Sequence, residues 1–333
     1  MRTDRTILAG IGCGVMAGAF WGVVFLGPRV LQAFSPLQLA ASRYLLYGLV
    51  SGVLILPRWR LLKAQVGHGE WLALLRLSLL GNIVYYIFLA SAVHLAGVAA
   101  TSLVIGLLPM AVTLVGSREQ GAVPLRALIL PLSLGVAGVS LIGADLMGRP
   151  GVGEISVAER FLGLACAGGA LACWTLYAVL NSRWLARLPA VSAHDWSLLT
   201  GVATGALALL LALPAFLWHT TPNAAGPHAV GDWALFWGVS AGVAIGASVV
   251  GNALWNRASR LLPLTLVGQM ILFETLFALL YGFLWDTRWP TLLEGLAILA
   301  LVASVGLCVG RHQRRPEDAA PEAVCPEAAS EAT

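Results

Sequence analysis

Glu274 is a carboxylate inside the apolar run LLPLTLVGQMILFETLFALLYGFLW, which opens at Leu261. At about 1.5 Å of rise per residue it lies roughly 20 Å along a helix, against a bilayer core about 30 Å thick. An acid at such a depth belongs on a bundle interior or a wet cavity. There it can exchange a proton, bind an ammonium group or, held protonated, bond a neighbouring helix. Helical spacing sets Val267, Met270, Phe277 and Tyr281 on the same stripe, giving the acid adaptable and aromatic neighbours. Arg43 is a second deep charge, about two turns into its own apolar run; it can snorkel outward, bond free carbonyls or meet a substrate carboxylate. Arg76, close to the end of its run, is placed to snorkel. Ser78, Asn82 and Tyr85 share one helical face, with Tyr86 rotated away by one position. Trp21 and Trp174 lie well inside apolar runs, although interfacial tryptophans belong at the ends.

These side chains need long elements to bring them to one depth, and the composition supplies them. The chain has 333 residues, 59% hydrophobic and 11% charged, with a mean hydropathy of +0.84. That excludes a soluble globular domain and implies a polytopic protein of the lipid bilayer. Apolar windows long enough to span recur ten times, over 7–26, 37–56, 71–92, 96–117, 125–144, 161–180, 195–216, 233–255, 261–285 and 291–310. The net charge is +4, but the basic residues are scattered along the connecting segments, which argues against a nucleic-acid partner and makes them reporters of topology. With the N-terminus inside, fourteen fall on inner segments, and only Arg29, Arg149, Arg160 and Arg288 on outer ones. Both termini are therefore expected in the cytoplasm. Cys13, Cys166, Cys173 and Cys308 fall within spans and Cys325 in the tail, spacings that make neither a disulfide framework nor a metal site. Ala17-Gly18-Ala19 imitates a signal-peptide cleavage site, but cleavage would leave nine spans and break the repeat described next, so the first window is expected to stay. No GxxxxGK[ST] or HExxH run occurs, so ATP is not expected as a direct energy source, and neither a cofactor nor an enzymatic role is expected.

The first and sixth windows align, CGVMAGAFWGVVF from Cys13 over CAGGALACWTLYA from Cys166, with Trp21 on Trp174. GNIVYY at Gly81 likewise matches GNALWN at Gly251. Five spans per copy is an odd number, so the second copy enters the membrane upside down: an inverted repeat, whose substrate site is expected near the midplane between the copies. The chain thus divides into a first repeat over 7–144, an outer linker over 145–160, a second repeat over 161–310 and a disordered cytosolic tail over 311–333. Gly14, Gly18, Trp21 and Phe25 share a face; Gly238, Gly242 and Gly246 repeat at four-residue spacing, a pattern that close helix packing explains. Pro109 deprives the carbonyl of Ile105 of its usual partner, so a kink is expected in the fourth span beside a cavity. His219 and His228, in an outer loop without nearby acids or cysteines, are weak metal candidates.

Ten spans, duplicated halves and three local runs resemble the EamA-type branch of the drug/metabolite transporter superfamily. The runs are SPLQLAASRYLL with Arg43, ASAVHLAGVAATSLVIGLLPM with Pro109, and ASRLLPLTLVGQMILFETL. The chain departs from the family pattern where Thr275, rather than proline, follows Glu274. Within the branch ALWN at Ala253 and CWTLYAVLNSRW at Cys173 are similar to the YddG-type exporters. That resemblance implies an all-α fold of ten transmembrane helices and export of aromatic and other neutral amino acids across a bacterial inner membrane by alternating access. The residues are compatible with it: Trp21, Tyr85, Tyr86, Trp174, Tyr177 and Trp255 offer ring faces to an apolar side chain, and Asn82, Asn252 and Gln269 offer amides to an ammonium and a carboxylate. With Arg43 and Glu274 these are the candidate binding residues, and Pro109 is the candidate kink. The sequence lacks a second deep carboxylate for a proton relay, which favours uniport. Two other readings stay open: proton-coupled efflux of hydrophobic cations through Glu274, and a membrane-embedded lipid-modifying enzyme.

Overall fold

The computed structural model describes residues 2–31, 33–118, 122–147, 157–217 and 230–313, which are helical almost throughout and contain no β-strand. Most of the 145–160 linker, His219, His228 and the chain beyond residue 313 lie outside the described residues. Leucines such as Leu49, Leu210, Leu213 and Leu299 point outward, whereas Ser42, Thr113, Thr204, Ser240 and Ser304 are buried between helices. Lipid tails are as apolar as leucine, so close approach of small residues and interhelical hydrogen bonds decide which face turns inward.

The helices are α1 (Arg2–Gly22), α2 (Pro36–Ile55), α3 (His68–Ser78), α4 (Val84–Ile105), α5 (Leu108–Gly116), α6 (Leu125–Met147), α7 (Val157–Arg187), α8 (Ala193–Leu217), α9 (Val230–Val243), α10 (Asn252–Leu261), α11 (Leu264–Met270), α12 (Leu272–Asp286) and α13 (Leu292–Gln313). Side-chain caps fix several starts. Ser35 and Gln38 bond each other's backbone at α2, Thr291 and Glu294 do the same at α13, and Ser192 Oγ accepts from the Asp195 amide at α8.

Among the described residues nine helical stretches are long and apolar enough to cross a membrane. The window 96–117 is not among them. α4 continues across the expected gap between the third and fourth windows, the helix breaks at Gly106 and Leu107, and α5 resumes for nine residues. Pro109 stands in the first turn of α5, where no intrahelical donor is wanted, so it starts a new helix instead of kinking a continuous one. Gly10 in α1 packs on Leu261 and Leu262 at the close of α10, and Thr265 next to that turn bonds His312 near the end of α13. Both ends of the described chain thus lie at one end of the bundle, which requires an even number of crossings. The divided passage through the end of α4 and α5 supplies the tenth.

The contacts of the two halves correspond. α1 packs on α10 and α12, as α7 packs on α4 and α5; α2 packs on α8, α5 on α11 and α6 on α13. Irregularities correspond as well. A π-helical segment joins α3 to α4 (Leu79–Ile83) and another joins α9 to α10 (Ala244–Gly251), while the break before α5 has its counterpart at Ile271, between α11 and α12. Where α2 crosses α8, Gly48 and Gly205 lie against each other, each filling the place a Cβ on the other would take.

Two glycine patterns resolve differently. Gly14 and Gly18 admit Met270 and Phe273 of the ninth crossing, as small packing residues should. Gly238 and Gly242 have open space over them, and only Gly246 of that series approaches a neighbour, Phe20. Phe25 leaves the face it was expected to share with Trp21 and is exposed, because the chain tightens to a 3₁₀ turn at Val23–Leu26.

Candidate functional site

A cleft of about 90 Å³ opens between the first, second, third and eighth crossings, in the half of the bundle away from the chain termini. Val24, Gly27, Leu39, Val239 and Val243 make its apolar wall, and Arg43, Tyr44, Tyr86 and Ser240 its polar lining. The Tyr44 and Tyr86 rings meet edge to face at 6.4 Å. Arg43 does not snorkel. Its Nε donates to Ser248 Oγ in the second π segment at 2.9 Å, and its guanidinium carbon lies 5.5 Å from the Tyr44 ring centroid. A π segment shifts the helical hydrogen bonds by one residue, and such segments recur at functional sites.

Glu274 falls in the first turn of α12, immediately after the break at Ile271, and α1 reaches its backbone at Gly18. Its carboxylate is half-buried and has neither a hydrogen bond nor an ion pair among the described residues. Phe277 and Tyr281 continue the stripe with ring centroids 5.9 Å apart, and the Tyr281 hydroxyl donates to the Ala19 carbonyl.

The deep aromatic residues form a plug instead of a cleft lining. Trp21, Trp174 and Trp255 pack as a triangle, with centroids 6.3, 5.2 and 5.5 Å apart, and Tyr177 adds an edge contact to Trp174. All four are buried. Trp21 Nε1 donates to the Ala247 carbonyl inside the π segment, at 3.0 Å, and its indole rests where a Cβ on Gly251 would stand. The ring of Tyr177 occupies the corresponding place over Gly81 in the other π segment.

The amides are placed in corresponding pairs too. Asn82 donates to Thr204 Oγ1 on α8, and Asn252 reaches the Tyr47 hydroxyl on α2 at 3.4 Å, the long end of a hydrogen bond. Gln269 is not among the cleft's lining residues. Buried between α5 and α13, it donates to Thr113 and accepts from Ser304. Arg43 and Tyr86 therefore line the cleft, Trp21, Trp174, Tyr177 and Trp255 stack as a plug, Asn82, Asn252 and Gln269 are tied into helix contacts, and Tyr85 and Glu274 lie outside the cleft's lining. Tyr44 and Ser240 are the lining residues the sequence reading passed over, and Ser248 is the hydrogen-bond partner of Arg43. Tyr44 follows Arg43 directly, while Ser248 is four residues before Asn252 and Ser240 eight before Ser248, spacings of about one and two helical turns.

At the end of the bundle that holds the termini, the crossings that correspond to the cleft walls are closed. Arg260 at the end of α10 donates to the carbonyls of Leu185, Leu188 and Val191 where α7 finishes. Asn181 on α7 donates to Asn256 on α10 and accepts from the Trp196 indole of α8. Arg58, beyond α2, pairs with the buried Asp195 of α8 at 3.0 Å.

Residues 8–144 match the EamA-like transporter family. Over 319 residues the chain is 31% identical to "Inner membrane protein YtfF" of Escherichia coli (strain K12), an alignment covering 93% of this chain and 98% of that protein. The chain belongs to the EamA-like transporter family. A crystal structure of a protein 21% identical superposes with a TM-score of 0.70, covering 92% of this chain and 98% of the other, and shares the fold. Thr275 in place of the family's proline does not prevent the ninth crossing from breaking, since the interruption falls at Ile271, three residues before Glu274.

Proposed function

We propose that this EamA-like transporter exports aromatic and other neutral amino acids across a bacterial inner membrane, by alternating access between two inverted five-helix repeats. The observation that carries the reading is an asymmetry between corresponding parts. The cleft among crossings one, two, three and eight is open, while the counterpart expected among crossings six, seven, eight and three is shut by Arg260, Asn181, Asn256 and Trp196. Two copies of one architecture held in different packings are what rocking of one repeat against the other exchanges. With the termini in the cytoplasm the cleft faces outward, and the indole plug lies between it and the cytoplasmic end.

The cleft's apolar wall and its tyrosines suit a small amphipathic solute. Export runs as uniport, with Glu274 as a substrate-facing acid without a relay partner. Efflux of hydrophobic cations is disfavoured by the Arg43 guanidinium, which lines the cleft.

Counter-flow in proteoliposomes is the test. Purified protein should exchange labelled phenylalanine, with a rate that a pH gradient leaves unchanged. Acceleration by the gradient that vanishes in Glu274→Gln would replace uniport by proton exchange, and absence of exchange with every neutral amino acid would remove the substrate reading.

A further inference from the structure

We infer that the cleft is a carboxylate site: the Arg43 guanidinium receives the carboxylate of the solute, and an amino group beside that carboxylate is not required for binding. The inference rests on the transport reading above for the solute's passage, and on the cleft itself for the charge it selects.

Arg43 is the one charged residue in the described lining of the cleft, where its companions are apolar residues, two tyrosines and a serine. A guanidinium cannot shed its proton, so the charge is permanent. Charges inside a membrane protein pair with an opposite charge or with carbonyls, or they mark a solute pathway. Here Nε donates to a neutral hydroxyl, Ser248 Oγ, and the Tyr44 ring centroid lies 5.5 Å from the guanidinium carbon. Neither contact supplies a negative charge. The two terminal nitrogens have no hydrogen bond or ion pair among the described residues. Nor are they sealed inside the bundle, since its buried unpartnered side-chain atoms belong to Ser51, Asp195, Ser197, Trp255, Ser259 and Arg260.

The bond at Nε also decides how the guanidinium is presented. It ties α2 to the π segment Ala244–Gly251 and leaves the edge formed by the two terminal nitrogens for a ligand. A carboxylate accepts from that fork bidentately. An apolar group attached to the carboxylate then meets Tyr86 and Val243 in the same lining. An ammonium group finds no acid there. Ser240 Oγ already shares a hydrogen bond with Ser42 Oγ at 2.9 Å, and the Arg43 charge repels a cation. The class of ligand is therefore an organic carboxylate, zwitterionic or simply anionic, that carries an aromatic or aliphatic group.

The experiment joins transport to binding. In proteoliposomes, unlabelled phenylalanine, 3-phenylpropionate and phenethylamine compete against counter-flow of labelled L-phenylalanine. In detergent, the same three compounds are tested for raising the thermal midpoint of the purified protein, because a ligand that binds only the folded state stabilises it. 3-Phenylpropionate, which lacks the ammonium, should compete within about threefold of phenylalanine. Phenethylamine, which lacks the carboxylate, should compete about tenfold or more weakly, having lost a charge-assisted contact. The midpoint should rise with the first two compounds only. Arg43→Gln should remove the difference between 3-phenylpropionate and phenethylamine, whereas Arg43→Lys, which keeps the charge without the fork, should keep their order. Arg43→Gln that lowers every flux alike and leaves the order intact would make Arg43 a fastening between helices and overturn the inference. Phenethylamine matching 3-phenylpropionate in the wild type overturns the carboxylate site and leaves the transport reading standing. Absence of phenylalanine exchange, with stabilisation by 3-phenylpropionate but not by phenethylamine, removes the transport reading and leaves the site; absence of both overturns both. The wild-type comparison decides the matter even where a variant does not fold.

Discussion

Gly251 shows how a single hydrogen atom can hold a site together. Its missing side chain admits the Trp21 indole, whose N–H then reaches the Ala247 carbonyl one turn earlier in the same π segment. Gly251→Ala places a methyl group against indole and backbone at once. Overpacking of this kind costs about 1–3 kcal/mol, and displacing the ring sacrifices a buried hydrogen bond worth about 1 kcal/mol net. The expected outcome is a lower thermal midpoint in detergent together with leak through the plug, read as uncoupled efflux of preloaded phenylalanine. Trp21→Phe keeps an aromatic ring but loses the N–H and the five-membered ring that carries it, so its midpoint should also fall; a midpoint equal to that of the wild type would mean the bond to Ala247 contributes nothing. At this scale the sequence was informative where a residue contradicts its surroundings. Glu274 and Arg43 stand out because charge inside an apolar run is expensive wherever the neighbours lie. Gln269 and Trp174 were equally conspicuous, yet one is consumed by Thr113 and Ser304 and the other by two further indoles. Which polar group stays free depends on partners distant in sequence, and no local pattern encodes that.

Among the elements, the two interrupted crossings carry the most testable geometry. At the break before α5, a Cβ on Gly106 would collide with the Val139 side chain on α6. Gly106→Ala should therefore lower stability by about 1–3 kcal/mol. Adding Val139→Ala should restore much of the loss, because the residues share one volume and their effects do not add. Equal thermal midpoints for Gly106→Ala with and without the second change would show that the break tolerates the methyl group by moving. The helices themselves were readable from apolar length. Their interruptions were not: Pro109 begins a helix instead of bending one, and Ile271 marks a break with no proline or glycine at the position. α4 also runs through the expected loop at 92–96, since nothing in VHLAGVAATS forbids helix and nothing in sequence alone compels it to stop. The caps at Ser35, Ser192 and Thr291 were available to inspection, each three residues before Gln38, Asp195 and Glu294.

For the molecule as a whole, the prediction concerns which end is shut. Arg260 ties α10 to three carbonyls at the end of α7, and those carbonyls have no intrahelical donor once the helix ends. Arg260→Gln should loosen that end and shift the population toward the opposite opening. A cysteine at Ala258, fully buried and two residues from Arg260, should resist a water-soluble maleimide in an otherwise cysteine-free protein and become reactive when Arg260→Gln is added. A cysteine at Val243 in the cleft should show the reverse, losing reactivity as the cleft closes. Unchanged labelling at both positions would reduce Arg260 to a helix cap. The contact of Gly48 with Gly205 has a consequence of another kind. Because each glycine is the obstacle to the other, the pair behaves genetically as one locus. An alanine at either position already drives α2 from α8, so a second alanine enters a gap the first has opened, and the double variant should be little worse than the poorer single one. A population sampling such changes would meet its barrier at the first substitution and find the second nearly free, whichever came first.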